Sequence, residues 1–94
     1  MDVHITHDEE WQQFTAEVGE EEAELAYAMP SPQVLDFTHT YVPKSERGKG
    51  VAYKLIERGL CYAEENGFRV VATCPTVKKF IDNNPQYQKL LHQQ

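Results

Sequence analysis

Apolar and polar positions alternate through the first half of the chain. Val3–His7 starts extended, and Phe14, Ala16 and Val18 then alternate with Thr15 and Glu17. A period of two marks a strand with one buried face. Gly19-Glu20 interrupts it as a turn, after which Ala23, Leu25, Tyr27 and Met29 alternate with Glu24, Ala26 and Ala28. The two runs predict an antiparallel hairpin. Pro30-Ser31-Pro32 is expected to stop the second strand, because proline donates no ladder hydrogen bond. Val34–Val42 predicts a longer strand, with Leu35, Phe37, His39 and Tyr41 on one face and Asp36, Thr38 and Thr40 on the other. Pro43 ends it.

From Gly50 the period changes. Ala52, Leu55, Ile56, Gly59, Leu60 and Ala63 recur at helical spacing and form one apolar stripe about four turns long. Gly59 within the stripe costs roughly 1 kcal/mol relative to alanine, which predicts close packing of helix on sheet there. Asn66-Gly67 ends the helix, with Gly67 as a left-handed cap. Phe68–Cys74 is mostly apolar, as expected of a strand covered on both sides, and Pro75 closes it. Residues 76–83 predict a shorter helix with Val77, Phe80 and Ile81 inward, and Pro85 starts a final turn or helix with Tyr87, Leu90 and Leu91. The order β-β-β-β-α-β-α-α predicts an α+β fold. Its sheet of about five strands is mostly antiparallel, with one parallel, right-handed βαβ unit over residues 34–74. Residues 1–94 are expected to form a single domain.

Charge is distributed unevenly. The net charge is −6, yet residues 1–43 carry Asp2, Asp8, Glu9, Glu10, Glu17, Glu20, Glu21, Glu22, Glu24 and Asp36 and no lysine or arginine. All nine basic residues follow, and Lys44, Arg47, Lys49, Lys54 and Arg58 surround Gly48 and Gly50. This balance argues against non-specific nucleic-acid binding, but a local basic cluster suits a compact polyanion such as a nucleotide 3′-phosphate. Two cysteines, Cys61 and Cys74, are too few for a disulfide framework and point to a reducing compartment, the cytoplasm. There is no 18-residue apolar run and no secretory leader, so neither a membrane span nor export is expected. His4, His7 and His92 have no metal-ligand spacing with cysteines or carboxylates, so no metal site is expected.

The stretch with most chemical content is Val42-Pro43-Lys44-Ser45-Glu46-Arg47-Gly48-Lys49-Gly50-Val51-Ala52, between a strand and a helix. Two glycines allow a tight turn that aims several N–H groups at one spot, and the helix adds the positive end of its dipole. The result is an anion seat suited to a pyrophosphate. It is not a P-loop, because Gly48-Lys49 is followed by Gly50 rather than Ser or Thr. Nor is it a dinucleotide fingerprint, because the third glycine is replaced by Tyr53. The plainer reading is a glycine turn capping a helix.

Residues 47–52 read R-x-x-G-x-A, which resembles the acyl-CoA loop of the GNAT acetyltransferase superfamily. Phe37-Thr38-His39-Thr40-Tyr41-Val42-Pro43, Cys74-Pro75 and Asn84-Pro85-Gln86-Tyr87 extend the resemblance from about Phe37 to Leu91. They are similar to a branch of small GNAT-like domains that bind acetyl-CoA. The resemblance implies a truncated GNAT-like fold, lacking the helices that separate the first two strands in larger members. It implies acetyl-CoA as cosubstrate, held by Tyr41, Val42, Arg47, Gly48, Lys49, Gly50, Val51 and Ala52.

The implied reaction is acetyl transfer to an amine. His39, with an ordinary pKa near 6.5, suits the general base. Cys74, activated by His39, suits an acetyl acceptor. An N–H near Tyr41-Val42 suits the oxyanion, and Tyr87 suits the acid that protonates the leaving sulfur. The structural alternatives are a hydrogen-bonded core histidine, a small buried hydrophobe and a packing tyrosine. Cys61 is expected to be structural. The acidic first half suits attraction of a cationic amine or basic protein, or simply solubility and protected sheet edges. An N-acetyltransferase and a non-catalytic acetyl-CoA-binding module are the two functions carried forward; an interaction scaffold that binds no CoA is the third.

Overall fold

The computed structural model describes residues 3–92, so Asp2 of the acidic set lies outside the described residues. Strands β1 (His4–Asp8), β2 (Gln13–Val18), β3 (Glu21–Ser31) and β4 (Val34–Tyr41) come first. A 3-10 turn at Lys44–Glu46, helix α1 (Val51–Glu65), strand β5 (Arg69–Ala72), helix α2 (Pro75–Asp82) and a 3-10 segment at Pro85–Leu90 follow. The sheet order is β1-β2-β3-β4-β5. The first three pairings are antiparallel and β4–β5 is parallel. This is the mixed α+β architecture that the periodicities predict.

The core lies between one face of the sheet and the helices. Phe14 and Ala16 of β2 oppose Leu25 and Ala23 of β3, and all four are fully buried. Leu55, Ile56, Leu60 and Ala63 of α1 and Val77, Phe80 and Ile81 of α2 join the same cluster. Gly59 is explained by contact: a β-carbon there would stand 2.9 Å from Phe37 Cε1 and 3.0 Å from Leu25 Cδ2. The helix sits on the sheet at the one place where it has no side chain.

Two register irregularities change the predicted faces. Tyr27 opposes Phe37, but Ala26 opposes His39, so β4 carries Thr38 as an extra, bulged residue. A bulge of one residue exchanges the faces beyond it. Leu35 and Phe37 point to the helices, and past the bulge it is Thr40, opposite the buried Leu25, that does so. His39 and Tyr41 point to the other face and are exposed. The predicted grouping of His39 and Tyr41 with Leu35 and Phe37 is therefore corrected. The second irregularity, between Ala28 and Ser31, carries β3 through Pro30. Pro30 falls inside that break and beyond Ala26, the last β3 residue paired with β2, so it sits where the ladder is already interrupted.

A third difference concerns β5. Val70 is fully buried and Ala72 on the same face packs against the core, but Val71 on the other face is only half-buried, because the described helices pack on one side of the sheet. The strand is covered on one face rather than two. Its outer edge receives the end of the described chain, with Leu91 bridging Val70 in parallel and the His92 N–H donating to the Val70 carbonyl at 2.8 Å.

At the far end of the core the His7 ring stacks on Phe14 at 4.1 Å and meets the Tyr27 hydroxyl at 2.7 Å. Burial lowers the His7 pKa and Arg58 adds to this, against the opposing pull of Glu9 and Asp8. Burial, with the neighbouring Tyr62, Glu9 and Asp8, pushes Tyr27 up to about 12. Folded His7 binds a proton less readily than unfolded His7, so its contribution is fully present above about pH 6.5 and is lost as the pH falls below it. We expect the melting temperature to decline between pH 7 and pH 5.5 by more in the wild type than in His7→Gln. Parallel declines in scanning calorimetry would rule His7 out as the cause.

Candidate functional site

The glycine loop is built by backbone geometry that most residues disfavour. Gly48 (φ 83°) and Gly50 (φ 79°) both lie in the left-handed region, open to glycine without steric cost. Gly50 is the N-cap of α1, and its carbonyl accepts the first helical bond, from the Lys54 N–H at 3.1 Å. The N–H groups of Val51, Ala52 and Tyr53 therefore have no partner within the helix. Arg47 braces the loop from behind, its Nε donating to the Val42 carbonyl at 2.9 Å.

These elements enclose a cavity of about 460 Å³ lined by Val42, Glu46, Arg47, Gly48, Gly50, Val51, Ala52 and Tyr53. Six of the eight residues expected to hold CoA thus share one cavity, while Tyr41 and Lys49 lie outside its lining. Glu46 and Tyr53 were missed. Glu46 pairs with Lys49 at 3.5 Å, which offsets the carboxylate in the cavity lining. Tyr53 is legible in retrospect, since the third residue of a helix shares the end where the free N–H groups gather.

Beside the loop, β4 and β5 part company. Their pairing ends at Phe37 and Ala72, and the Cys74 N–H makes a last bond to the Phe37 carbonyl at 2.9 Å. Beyond it, the described residues leave the β5-side backbone edge of Thr38–Tyr41 without a strand partner. Cys74 is the N-cap of α2, with Pro75 at the first helical position. Its sulfur lies 3.6 Å from Thr40 Oγ1. Burial works to raise the thiol pKa, but the Thr40 hydroxyl, the N–H groups of Val77 and Thr76 and the Thr76 hydroxyl outweigh it, and the net shift is downward. The thiol thus ionises more readily than an ordinary cysteine, at a buried position (5% exposed) that by itself works against the charge.

The bulge alters the expected alliance. Thr40, not His39, is the partner of Cys74, and His39 stands on the opposite face of β4. Tyr87 is also placed differently from the expectation. Its ring packs on Phe80 at 5.8 Å, and burial raises its pKa together with the adjacent Cys61 and Glu57. These neighbours, Phe80 of α2 and Cys61 and Glu57 of α1, put it in the packing between the two helices. Cys61 and Cys74 are both free thiols.

A five-stranded mixed sheet, a parting of its parallel pair and a glycine loop at the following helix define the GNAT-like class. The structure superposes on the solution structure of a GCN5-like protein from Staphylococcus aureus, described as a candidate N-acetyltransferase. The TM-score is 0.76 at 25% identity, covering 97% of this chain and 89% of the other. Residues 13–90 match the model of the GCN5-related N-acetyl-transferase family, and the chain belongs to that family. It is also similar to Protein NATD1 from two vertebrates. The Gallus gallus protein is 31% identical over 98% of this chain and 86% of its own length. The Bos taurus protein is 32% identical over 94% and 80%.

Proposed function

We propose that the chain is a minimal N-acetyltransferase that binds acetyl-CoA and transfers its acetyl group to an amine. The observation that carries this reading is the cavity at the start of α1, with two left-handed glycines and free helix N–H groups, opening beside the parted ends of β4 and β5. The pyrophosphate takes the loop N–H groups, and pantetheine lies along the unpaired edge of β4. All 94 residues act as one acetyl-CoA-binding unit. Two free cysteines suit the cytoplasm.

His39 takes the proton of the attacking amine from the open face of the sheet. The amine nitrogen bonds to the thioester carbon, and the oxyanion accepts a hydrogen bond from an N–H at Tyr41-Val42. Collapse breaks the carbon–sulfur bond, and the His39 proton passes to the leaving thiolate. Cys74 stands on the other side of β4, where its lowered pKa suits either short-lived acceptance of the acetyl group or contact with the thioester. Tyr87, beside Phe80 and Cys61, takes no part in this scheme. The acidic residues on the open face, including Glu22, Glu24 and Asp36, favour a cationic acceptor.

A second reading, a non-catalytic acetyl-CoA-binding module, is favoured by one observation. β1 and β2 are joined by a turn over residues 9–12 alone, so nothing there builds a substrate groove. Calorimetric titration with acetyl-CoA, CoA and ATP tests both. Micromolar binding of the first two but not ATP is expected, and no heat with any of them would remove both readings. For the enzyme, His39→Ala is expected to lower turnover about 100-fold with acetyl-CoA affinity unchanged. Full turnover in both His39→Ala and Cys74→Ala would sink the chemistry and leave the binding module.

A further inference from the structure

We propose that Tyr53 is the platform on which the adenine ring of CoA stacks, so that this side chain gives the site its preference for the nucleotide half of the ligand. The inference rests on the CoA reading above and names a contact which that reading does not contain. Tyr53 is in the first turn of α1, directly after the loop whose N–H groups suit a pyrophosphate. Among the described residues lining the cavity it is the only aromatic one. Its ring is held from one side by Phe80, with centroids 5.4 Å apart and planes tilted by 55°, yet the residue remains 47% exposed.

The ring meets Phe80 at a tilt and, among the described residues, stacks on no second aromatic ring, which leaves it a surface for stacking. A nucleobase stands one ribose away from its 5′-phosphate, a separation that a tyrosine side chain rooted beside the phosphate seat spans. Stacking needs no matched donors and acceptors, because every base offers a π face. Arg47, which lines the same cavity, carries positive charge that suits the phosphates of the same nucleotide. Phe80 contributes by fixing the Tyr53 rotamer, which reduces the entropy lost when a ligand orders the ring.

The experiment separates the two halves of CoA. Wild type, Tyr53→Ala and Tyr53→Phe are each titrated by calorimetry with CoA, with adenosine 3′,5′-bisphosphate and with 4′-phosphopantetheine. Melting temperatures establish that the variants fold. Tyr53→Ala is expected to weaken CoA and the bisphosphate by a similar factor, roughly 5- to 150-fold, and to leave 4′-phosphopantetheine within about twofold. Tyr53→Phe keeps the π face and is expected to match the wild type on all three. Equal losses on both fragments, no loss on CoA, or a phenylalanine variant as weak as the alanine variant would each overturn the proposal. A wild type that binds CoA with Tyr53→Ala equal to it removes only the stacking. A wild type that binds none of the three removes the CoA reading and the stacking together.

Discussion

Gly50→Glu is expected to reduce CoA affinity by 100-fold or more while leaving a folded protein. The substitution has two separable effects, one on the stability of the fold and one on the affinity. A side chain at φ 79° is strained, at a cost of about 1–2 kcal/mol for an L-residue in the left-handed region. The new carboxylate also stands where the phosphates would sit. Two like charges about 4 Å apart repel by ~4 kcal/mol at an effective dielectric near 20, which exceeds the ~2.7 kcal/mol of a 100-fold change. The fold tolerates the change because a β-carbon at Gly50 meets nothing within 4 Å. Gly50→Ala carries the same strain without the charge, so it should retain most of the binding. Titration of the three proteins with CoA reads the difference. Unchanged affinity in folded Gly50→Glu would show that the loop is only a helix cap.

The largest effect on stability is expected from Gly59→Val. Its β-carbon would enter the space held by Phe37 and Leu25. Both are fully buried and pinned between β3, β4 and α1, so neither is a loose chain end that can swing away. Overpacking of this kind costs about 1–3 kcal/mol, and the branched side chain puts Val at the upper end, near 3 kcal/mol. For a domain of this size that lowers the melting temperature by roughly 12–24 °C. Gly59→Ala sets the clash against the ~1 kcal/mol that alanine gains in helix propensity, so it should fall much less. A Gly59→Val protein melting with the wild type would mean that the helix stands further from the sheet than the contacts indicate.

Much of the fold was legible because its periodicities are undiluted. The switch from alternation to helical spacing at Gly50, the cap at Gly67 and the breaks at Pro43 and Pro75 each rest on local chemistry that no tertiary contact overrides. The bulge at Thr38 was not legible. Leu35 to Tyr41 alternates without a break in sequence, and only the pairing with β3 reveals the inserted residue. That one residue placed His39 on the wrong face and so joined it to Cys74. Thr40 went unnoticed for the same reason, since a threonine on a supposed outer face gives no sign that its hydroxyl meets a thiol. The glycine loop was the easiest part of the candidate site to read, because glycine at left-handed positions is a backbone requirement. Tyr53 was harder, as an aromatic at the start of a helix looks like any other surface residue until Phe80 is seen beneath it.

The strand order repeats the order of the chain, and this bears on how the molecule assembles. Three of the four strand pairings join segments that follow each other directly, so each closes a short loop at small entropic cost. The fourth, β4 with β5, must bring Phe37 to Ala72 across the whole of α1. The glycine loop and the parting of the parallel pair both belong to that long crossover. The part of the molecule with the proposed chemistry is thus the part whose formation spends the most chain freedom, resting on a meander that can organise before it.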